Sequence, residues 1–424
     1  MTELSVNMSG RLVGTLDATD RRSLRFTYEP AYSADPASTP LSVSMPLRQS
    51  PYPHSRIHPY LWGLLPDNDR VLARWAREFG CSASDVTALL ANVGTDVAGA
   101  AQYARPGDIP DESLPGNVEW LSDDDIAQFL RDVQRDTTAW RPHPEGRWSL
   151  AGAQAKIALL HDDASDRWGI PSGATPTTHI LKPAIVDLDD FDLNEHLCLA
   201  AAHRLGFRAA LTSVRTFADQ RALVVSRYDR LAQPDGSILR VHQEDLCQAL
   251  SVHPERKYES DGGPSAADLG RLIAEVAGAA DLRRLHDALA YNWLVMGTDG
   301  HAKNFSLLLS GHQVRLAPMY DVATGLPHIH PQKARLAQKI GGENRPTRIS
   351  TRNWERLANE VGIDPDESRA RIESLIERFP DAVADAAHNP NFTSDERRIA
   401  DTIADQITNW LTTARLNMDM PARG

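Results

Sequence analysis

The sequence predicts an α+β chain with a small β-containing N-terminal subdomain, a mixed α/β lobe and a mainly α-helical C-terminal lobe. Boundaries are expected at 1–105, 106–250 and 251–424. Three observations carry this expectation. Apolar and polar residues alternate up to about Phe26, as in strands with one face on a core. Apolar positions recur at helical spacing in Trp354–Val361, Ser368–Phe379 and Arg397–Ala414. Between these regions an apolar helix, a polar loop and two short apolar runs follow one another around Asp299-Gly-His-Ala-Lys-Asn304. At 424 residues the chain can bury more than one domain-sized core.

The N-terminal alternation is expected to turn at Ser9-Gly10 and at Leu16-Asp17. A loop rich in Pro, Ser and Ala then ends in Leu41-Ser-Val-Ser-Met-Pro46. From Tyr60 to about Gly94 the period is helical, with Asp67-Asn-Asp capping Val71-Leu-Ala-Arg-Trp-Ala and a second helix beginning near Ser82 or Ser84. Ala98-Gly-Ala-Ala-Gln-Tyr-Ala104 reads as a buried strand of small residues, and Ser122-Asp-Asp-Asp caps a helix to about Val133.

The linker Arg141-Pro-His-Pro-Glu-Gly-Arg leads into Trp148-Ser-Leu-Ala-Gly-Ala-Gln-Ala-Lys-Ile-Ala-Leu-Leu160, small residues followed by an alternating apolar strand. Backbone N–H groups approach a polyphosphate only where side chains are small, which suits Ala151 to Lys156. This is neither G-x-G-x-x-G nor a Walker A motif, and alone it reads as an ordinary hairpin. Thr178-His-Ile-Leu-Lys-Pro183 is a strand ending in a basic residue, and Asn194 to Gly206 is a helix with Gly206 at its C-terminus. Arg221 to Arg230 is a central strand, Asp235-Gly236 a hairpin turn, and Arg240 to Leu250 passes from strand to helix. The loop Lys257-Tyr-Glu-Ser-Asp-Gly-Gly-Pro264 precedes a helix starting near Ser265, and Leu282 to Met296 is the helix beneath the polar loop.

That polar loop holds Asp299 and Asn304 in the spacing D-x-x-x-x-N, and the apolar run Val314 to Tyr320, expected as a strand that pairs back over the loop, ends at Asp321. At this spacing a phosphoryl-transfer loop supplies a base for a hydroxyl and a metal ligand, with a second acid completing the metal site. Mg²⁺ takes hard oxygen ligands and keeps waters, so one carboxylate, one amide oxygen and nucleotide phosphates suffice. Asp, Gly and Asn are also ordinary loop formers, and the motif alone is compatible with a structural loop. Lys182 likewise has two readings: a solvated strand-end lysine, or the lysine that pairs with the α and β phosphates under the hold of a helix glutamate.

Taken together and in this order, Ser149-Leu-Ala-Gly-Ala-Gln154, Thr177-Thr-His-Ile-Leu-Lys-Pro183, Gln243-Glu-Asp-Leu-Cys-Gln248, Lys257 to Pro264 and Asp299 to Asn304 resemble the HipA family of bacterial toxin serine/threonine kinases, over nearly the whole chain. The resemblance implies a protein-kinase-like fold of the HipA type using ATP and Mg²⁺. It makes Asp299 the catalytic base, Asn304 and Asp321 the metal ligands, and Lys182 the phosphate lysine with Glu195 as partner. Ala151, Gly152, Ala153, Gln154 and Lys156 become the phosphate loop. Glu244, Asp245 and Leu246 become the adenine hinge, although the acidic pair also reads as a helix cap. His301, Lys303 and Tyr320 fall within reach of nucleotide, and a loop-packing role for His301 has equal standing.

In relatives a serine at the position of Ser149 is autophosphorylated, which ejects the loop and inactivates the kinase; Ser165, Ser172, Thr137 and Thr138 are further hydroxyls. The implied partners are a HipB-like helix-turn-helix antitoxin, operator DNA mainly through that antitoxin, and a protein substrate of the aminoacyl-tRNA synthetase class. The alternatives are a catalytically silent co-repressor partner of an antitoxin and a small-molecule kinase.

Composition bounds the rest. A net charge of −12 disfavours generic nucleic-acid binding, which draws on Lys and Arg. Lys333 to Arg348, followed by Arg352, is the basic stretch; it reads as a solvated loop, with a DNA or partner face as the alternative. Cys81, Cys198 and Cys247 form neither a disulfide framework nor a zinc motif and suit a reducing cytosol. No signal peptide or membrane span is expected, so a cytoplasmic location follows.

Overall fold

A computed structural model describes residues 2–18, 23–111, 116–140, 148–185 and 188–420; the linker at 141–147 lies outside the described residues. Along the chain the elements are β1 (Thr2–Met8), β2 (Arg11–Ala18), β3 (Leu24–Tyr28), α1 (Pro30–Ala34), α2 (His54–Gly63), α3 (Asp69–Glu78), α4 (Val86–Val93), β4 (Gln102–Ala104), β5 (Val118–Leu121) and α5 (Asp123–Arg135). Next come β6 (Ile157–Asp162), β7 (Arg167–Pro171), β8 (His179–Pro183), α6 (Phe191–Arg204), β9 (Thr212–Phe217), β10 (Gln220–Ser226), β11 (Arg230–Ala232), β12 (Ile238–Arg240), β13 (His242–Asp245) and α7 (Leu246–Ala249). The rest are α8 (Ala266–Val276), α9 (Ala279–Leu294), β14 (Ser306–Ser310), β15 (Gln313–Leu316), α10 (Thr351–Val361), α11 (Pro365–Ala387) and α12 (Ser394–Asn417).

These residues group into two compact units, both discontinuous in sequence: Met1–Pro183, Arg215–Glu255 and Leu307–Val314 form the first, and Ala184–Val214, Arg256–Ser306 and Arg315–Gly424 the second. The first unit is the sheet-rich one. Its four-stranded sheet has the order β3-β2-β1-β4, its six-stranded sheet β5-β7-β6-β8-β10-β9, and a shorter sheet β13-β14-β15. Caps start its helices where the sequence places them: the Asn68 side chain accepts from the N–H groups of Arg70 and Val71, and Ser122 forms a capping box with Asp125. The hairpin at Asp235-Gly236 joins β11 to β12, with Gly236 at φ +83°.

Several local expectations are corrected. No turn occurs at Leu16-Asp17, because β2 runs on to Ala18 and pairs Leu16 with Phe26. The helical stretch begins at His54, and α4 is capped by Asp85 rather than by Ser82 or Ser84. Only Gln102–Ala104 of the expected strand Ala98–Ala104 is a strand; Gly99 has φ +87° and gives its N–H to the Asp229 carboxylate at 2.7 Å, which takes the chain out of extended form. β6 does not alternate, since Ile157, Ala158, Leu159 and Leu160 are all buried, as in a strand covered on both faces.

The second unit is helical. Ser265 caps α8 through a capping box with Asp268. Two buried indoles find backbone acceptors: the Trp293 Nε1–H donates to the Pro346 carbonyl at 3.1 Å, and that of Trp410 to the Trp293 carbonyl at 3.2 Å. The Tyr291 hydroxyl donates to the Cys198 carbonyl, tying α9 to α6. Glu195 rides on α6, which the sequence reading placed within 106–250 and which here groups with Arg256–Ser306 and Arg315–Gly424. Among the described residues no helix is long and apolar enough to cross a membrane.

Candidate active site

The expected functional residues form two sets, one on each unit. In the second unit α9 ends at Leu294, Met296 takes φ +56°, and the Gly297 N–H returns to the Asn292 carbonyl at 2.7 Å. A Cβ at Gly297 or Gly300 would lie 2.8 or 3.1 Å from Asn292 Oδ1, so glycine lets the loop lie flat on that side chain. The carbonyl of Asp299 accepts from the His301 N–H at 2.7 Å and from Asn304 Nδ2 at 2.8 Å. Asn304 is thereby aimed: its Nδ2 serves the loop, and Oδ1 is the atom it offers a cation. The Asp299 side chain is exposed, with Oδ1 accepting from the Tyr258 hydroxyl at 2.6 Å.

Asp321 does not close a strand as the sequence suggested. β15 ends at Leu316; the Met319 N–H then donates to the Arg208 carbonyl at 2.8 Å, and the Ala210 N–H to the Met319 carbonyl at 2.7 Å. Asp321 follows in the left-handed region at φ +57°. Asn194 fixes the segment just beyond it, giving its Nδ2–H to the Thr324 carbonyl and accepting from the Thr324 N–H, both at 2.8 Å. The Tyr320 hydroxyl donates to the Lys303 carbonyl at 2.6 Å and bonds the Ser306 hydroxyl at 2.6 Å, so it braces the loop. His301 is 4% exposed and stands edge-on to Tyr258; burial lowers its pKa, with the nearby Asp299 charge opposing. Lys303 is 5% exposed.

In the first unit Ser149 is fully buried: its N–H donates to the Asp96 carbonyl at 3.0 Å and its hydroxyl to the Leu64 carbonyl at 2.8 Å. Gly152 has φ +106°, and a Cβ there would meet Lys156 Nζ at 2.6 Å. Lys156 Nζ donates to the Ala151 carbonyl at 2.7 Å. The N–H groups of Ala153, Gln154 and Ala155 meet no acceptor among the described residues, so successive donors line a loop of small side chains. That donor set, with Lys156 beside it, fits a polyphosphate. Lys182, on β8 opposite Leu223, is 6% exposed, which excludes the solvated strand-end reading. Glu195, in the other unit, is 1% exposed.

At the expected hinge Asp245 caps α7, its carboxylate accepting from the Gln248 N–H at 2.9 Å. Glu244 is buried, with Oε1 accepting from the Val43 N–H at 2.7 Å and Oε2 without a hydrogen-bond partner among the described residues. Burial pushes its carboxyl up to about 8, against the lowering effect of the Ser42 and Val43 hydrogen bonds. A carboxyl raised in the folded state adds stability below its unfolded value, and that stability is lost as pH rises toward 8. Glu244→Gln keeps the uncharged shape. Its melting temperature is therefore expected to gain on wild type between pH 5 and 8; parallel curves would contradict the assignment.

Sequence reasoning missed Tyr258, Asn194 and Asn292. Tyr258 lies inside the motif Lys257 to Pro264, whose glycines signal only a polar loop, and Asn194 stands one residue from Glu195. For the metal, Asn304 Oδ1 and the Asp321 carboxylate are the hard oxygen donors that suit Mg²⁺. Among the described residues no group of three or more His, Cys, Asp or Glu is placed to hold a metal ion.

An α+β chain with this loop geometry is of the protein-kinase-like class. Residues 4–104 match the HipA N-terminal domain and residues 148–383 the HipA-like C-terminal domain. The chain belongs to the HipA family. It is 35% identical to Y4mE of Sinorhizobium fredii over 389 residues, 90% of this chain and 91% of that one. It is 25% identical to the serine/threonine-protein kinase toxin HipA of Shewanella oneidensis over 365 residues, 82% of this chain and 80% of that one. In fold it resembles the solved Shewanella oneidensis complex of HipA, HipB and operator DNA, with a TM-score of 0.84 at 23% identity, covering 99% of this chain and 100% of that one.

Proposed function

We propose that this protein is an ATP-dependent serine/threonine kinase and the toxin of a HipBA-type module in the bacterial cytoplasm. The observation that carries the reading is the catalytic loop, where one backbone carbonyl, that of Asp299, holds Asn304 so that an exposed carboxylate and an amide oxygen are displayed together. Asp299 orients a substrate hydroxyl and receives its proton. Asn304 and Asp321 hold Mg²⁺, which when bound neutralises charge on the phosphoryl oxygens. Lys156, Lys182 and the N–H groups of Ala153 to Ala155 grip the phosphates, and the backbone at Glu244 to Leu246 receives adenine. A HipB-like antitoxin and, through it, operator DNA are the proposed partners, supported by the complex formed by the Shewanella relative. An aminoacyl-tRNA synthetase is the proposed substrate, resting on the family resemblance.

Ser149 is the proposed site of self-inactivation. Its hydroxyl has no room for phosphate where it lies, because the group would bring nearly two charges into a fully buried position. Modification and the present loop position exclude each other. Intact mass of protein purified from cells is expected to show one added phosphate, mapped to Ser149 and absent from Ser149→Ala. Protein that stays unmodified after incubation with ATP and Mg²⁺ would favour a silent co-repressor instead.

A further inference from the structure

Resting on the kinase reading, we propose that Tyr258 is a positioning residue that fixes the carboxylate of Asp299 for the reaction. The Tyr258 hydroxyl donates to Asp299 Oδ1 at 2.6 Å, a bond between residues of one unit that lie 41 positions apart. A carboxylate on a loop rotates freely about its last bond unless one oxygen is engaged. Here the phenol engages Oδ1, and Oδ2 is left to meet an incoming hydroxyl. The ring is held as firmly as its oxygen: it stands edge-on to His301, centroids 4.9 Å apart and planes at 85°.

The segment carrying Tyr258 is built as a clip. The Lys257 carbonyl accepts from the Ala302 N–H at 3.2 Å, joining it to the catalytic loop. The Tyr258 carbonyl accepts from the N–H groups of Asp261 at 3.1 Å and Gly263 at 3.0 Å, closing a tight turn. A Cβ at Gly263 would fall 1.9 Å from the Arg256 carbonyl oxygen, and Gly262 sits at φ +78°, so the turn demands both glycines. On the far side the Glu259 carboxylate accepts from the Lys339 N–H at 2.7 Å and pairs with its ammonium at 3.5 Å. The glycines and the glutamate of this motif therefore serve the tyrosine between them.

During transfer the substrate hydroxyl gives its proton to Asp299 Oδ2 as its oxygen bonds to the γ-phosphorus and the bond to ADP breaks; Tyr258 keeps its own proton throughout. The test is steady-state transfer from ATP, with Mg²⁺, to the Ser149 segment or to a generic acceptor such as casein, comparing wild type with Tyr258→Phe and Tyr258→Ala. Tyr258→Phe removes one oxygen and keeps the ring. It is expected to lower kcat about tenfold or more with KM for ATP and the melting temperature unchanged, an effect sized as a lost hydrogen bond to a charged group. Tyr258→Ala also loses the His301 contact and is expected to fall further. A kcat for Tyr258→Phe equal to or above wild type overturns the positioning role, as does a fall in kcat explained by a raised KM for ATP or a lowered melting temperature. An inactive wild type would instead remove the kinase reading itself.

Discussion

Asp299→Asn is expected to reduce phosphate transfer by roughly 10²–10⁴-fold, the range that a positioned base contributes, while leaving the fold intact. The replacement keeps the shape of the side chain and an oxygen able to accept from Tyr258, and its backbone carbonyl still orders Asn304. The measurement is incorporation of labelled phosphate from ATP, read beside circular dichroism of both proteins. A variant that retains wild-type transfer would remove Asp299 from the reaction. An Asp321→Asn variant run in parallel is expected to lose transfer in a way that excess Mg²⁺ partly restores, because it weakens a ligand rather than a base.

Asp96→Asn carries the largest expected cost in stability. Asp96 Oδ1 meets Arg230 at 2.7 Å and Arg227 at 3.4 Å, and Oδ2 accepts from the N–H and hydroxyl of Thr177 at 2.8 and 2.7 Å. Burial alone would raise its carboxyl; the guanidinium groups of Arg227, Arg230 and Arg240 override this and hold it well below the usual carboxylate range. Neutralising it leaves Arg227 and Arg230, both buried, with Asp229 as the remaining carboxylate of the network. Breaking a buried pair in this way costs about 3–5 kcal/mol, whereas an exposed helix pair such as Arg369 with Glu373 is screened by solvent and contributes little. Urea unfolding at pH 7 is the check, with Arg369→Ala as the low-cost comparison. Similar midpoints for the two variants would show that the network contributes little.

Several elements were legible because each writes a local signal. Ser122, Asn68 and Ser265 cap helices, Asp235-Gly236 turns a hairpin, and D-x-x-x-x-N sits between a helix and a strand. The contacts that aim the site were not legible, because they join distant positions and leave no periodicity. Tyr258 bonds Asp299, Asn194 bonds Thr324 across 130 positions, and Glu244 bonds Val43 across 201. Asp321 was found by type and order, but its backbone was misread, since nothing local marks a strand that stops at Leu316 and a left-handed residue five positions on. Ala98 to Ala101 misled for the opposite reason: small apolar residues promise a strand, and the single Gly99 that denies it needed its partner Asp229 to be understood.

The interleaving of the two units has a consequence for biosynthesis. The sheet of β1 to β4 is complete once Ala104 has emerged from the ribosome, but β13 waits for the hairpin of β14 and β15, which is finished only at Leu316 of a 424-residue chain. The Asp299 to Asn304 loop arrives just before that hairpin. A nascent chain therefore exposes its Ser149 segment and Lys182 long before it owns Asp299 or Asp321, and a product of premature termination before residue 299 is expected to be inert rather than partly active. For a protein proposed to arrest its host, chain order itself delays the hazard until Asp299 and Asp321 have both emerged.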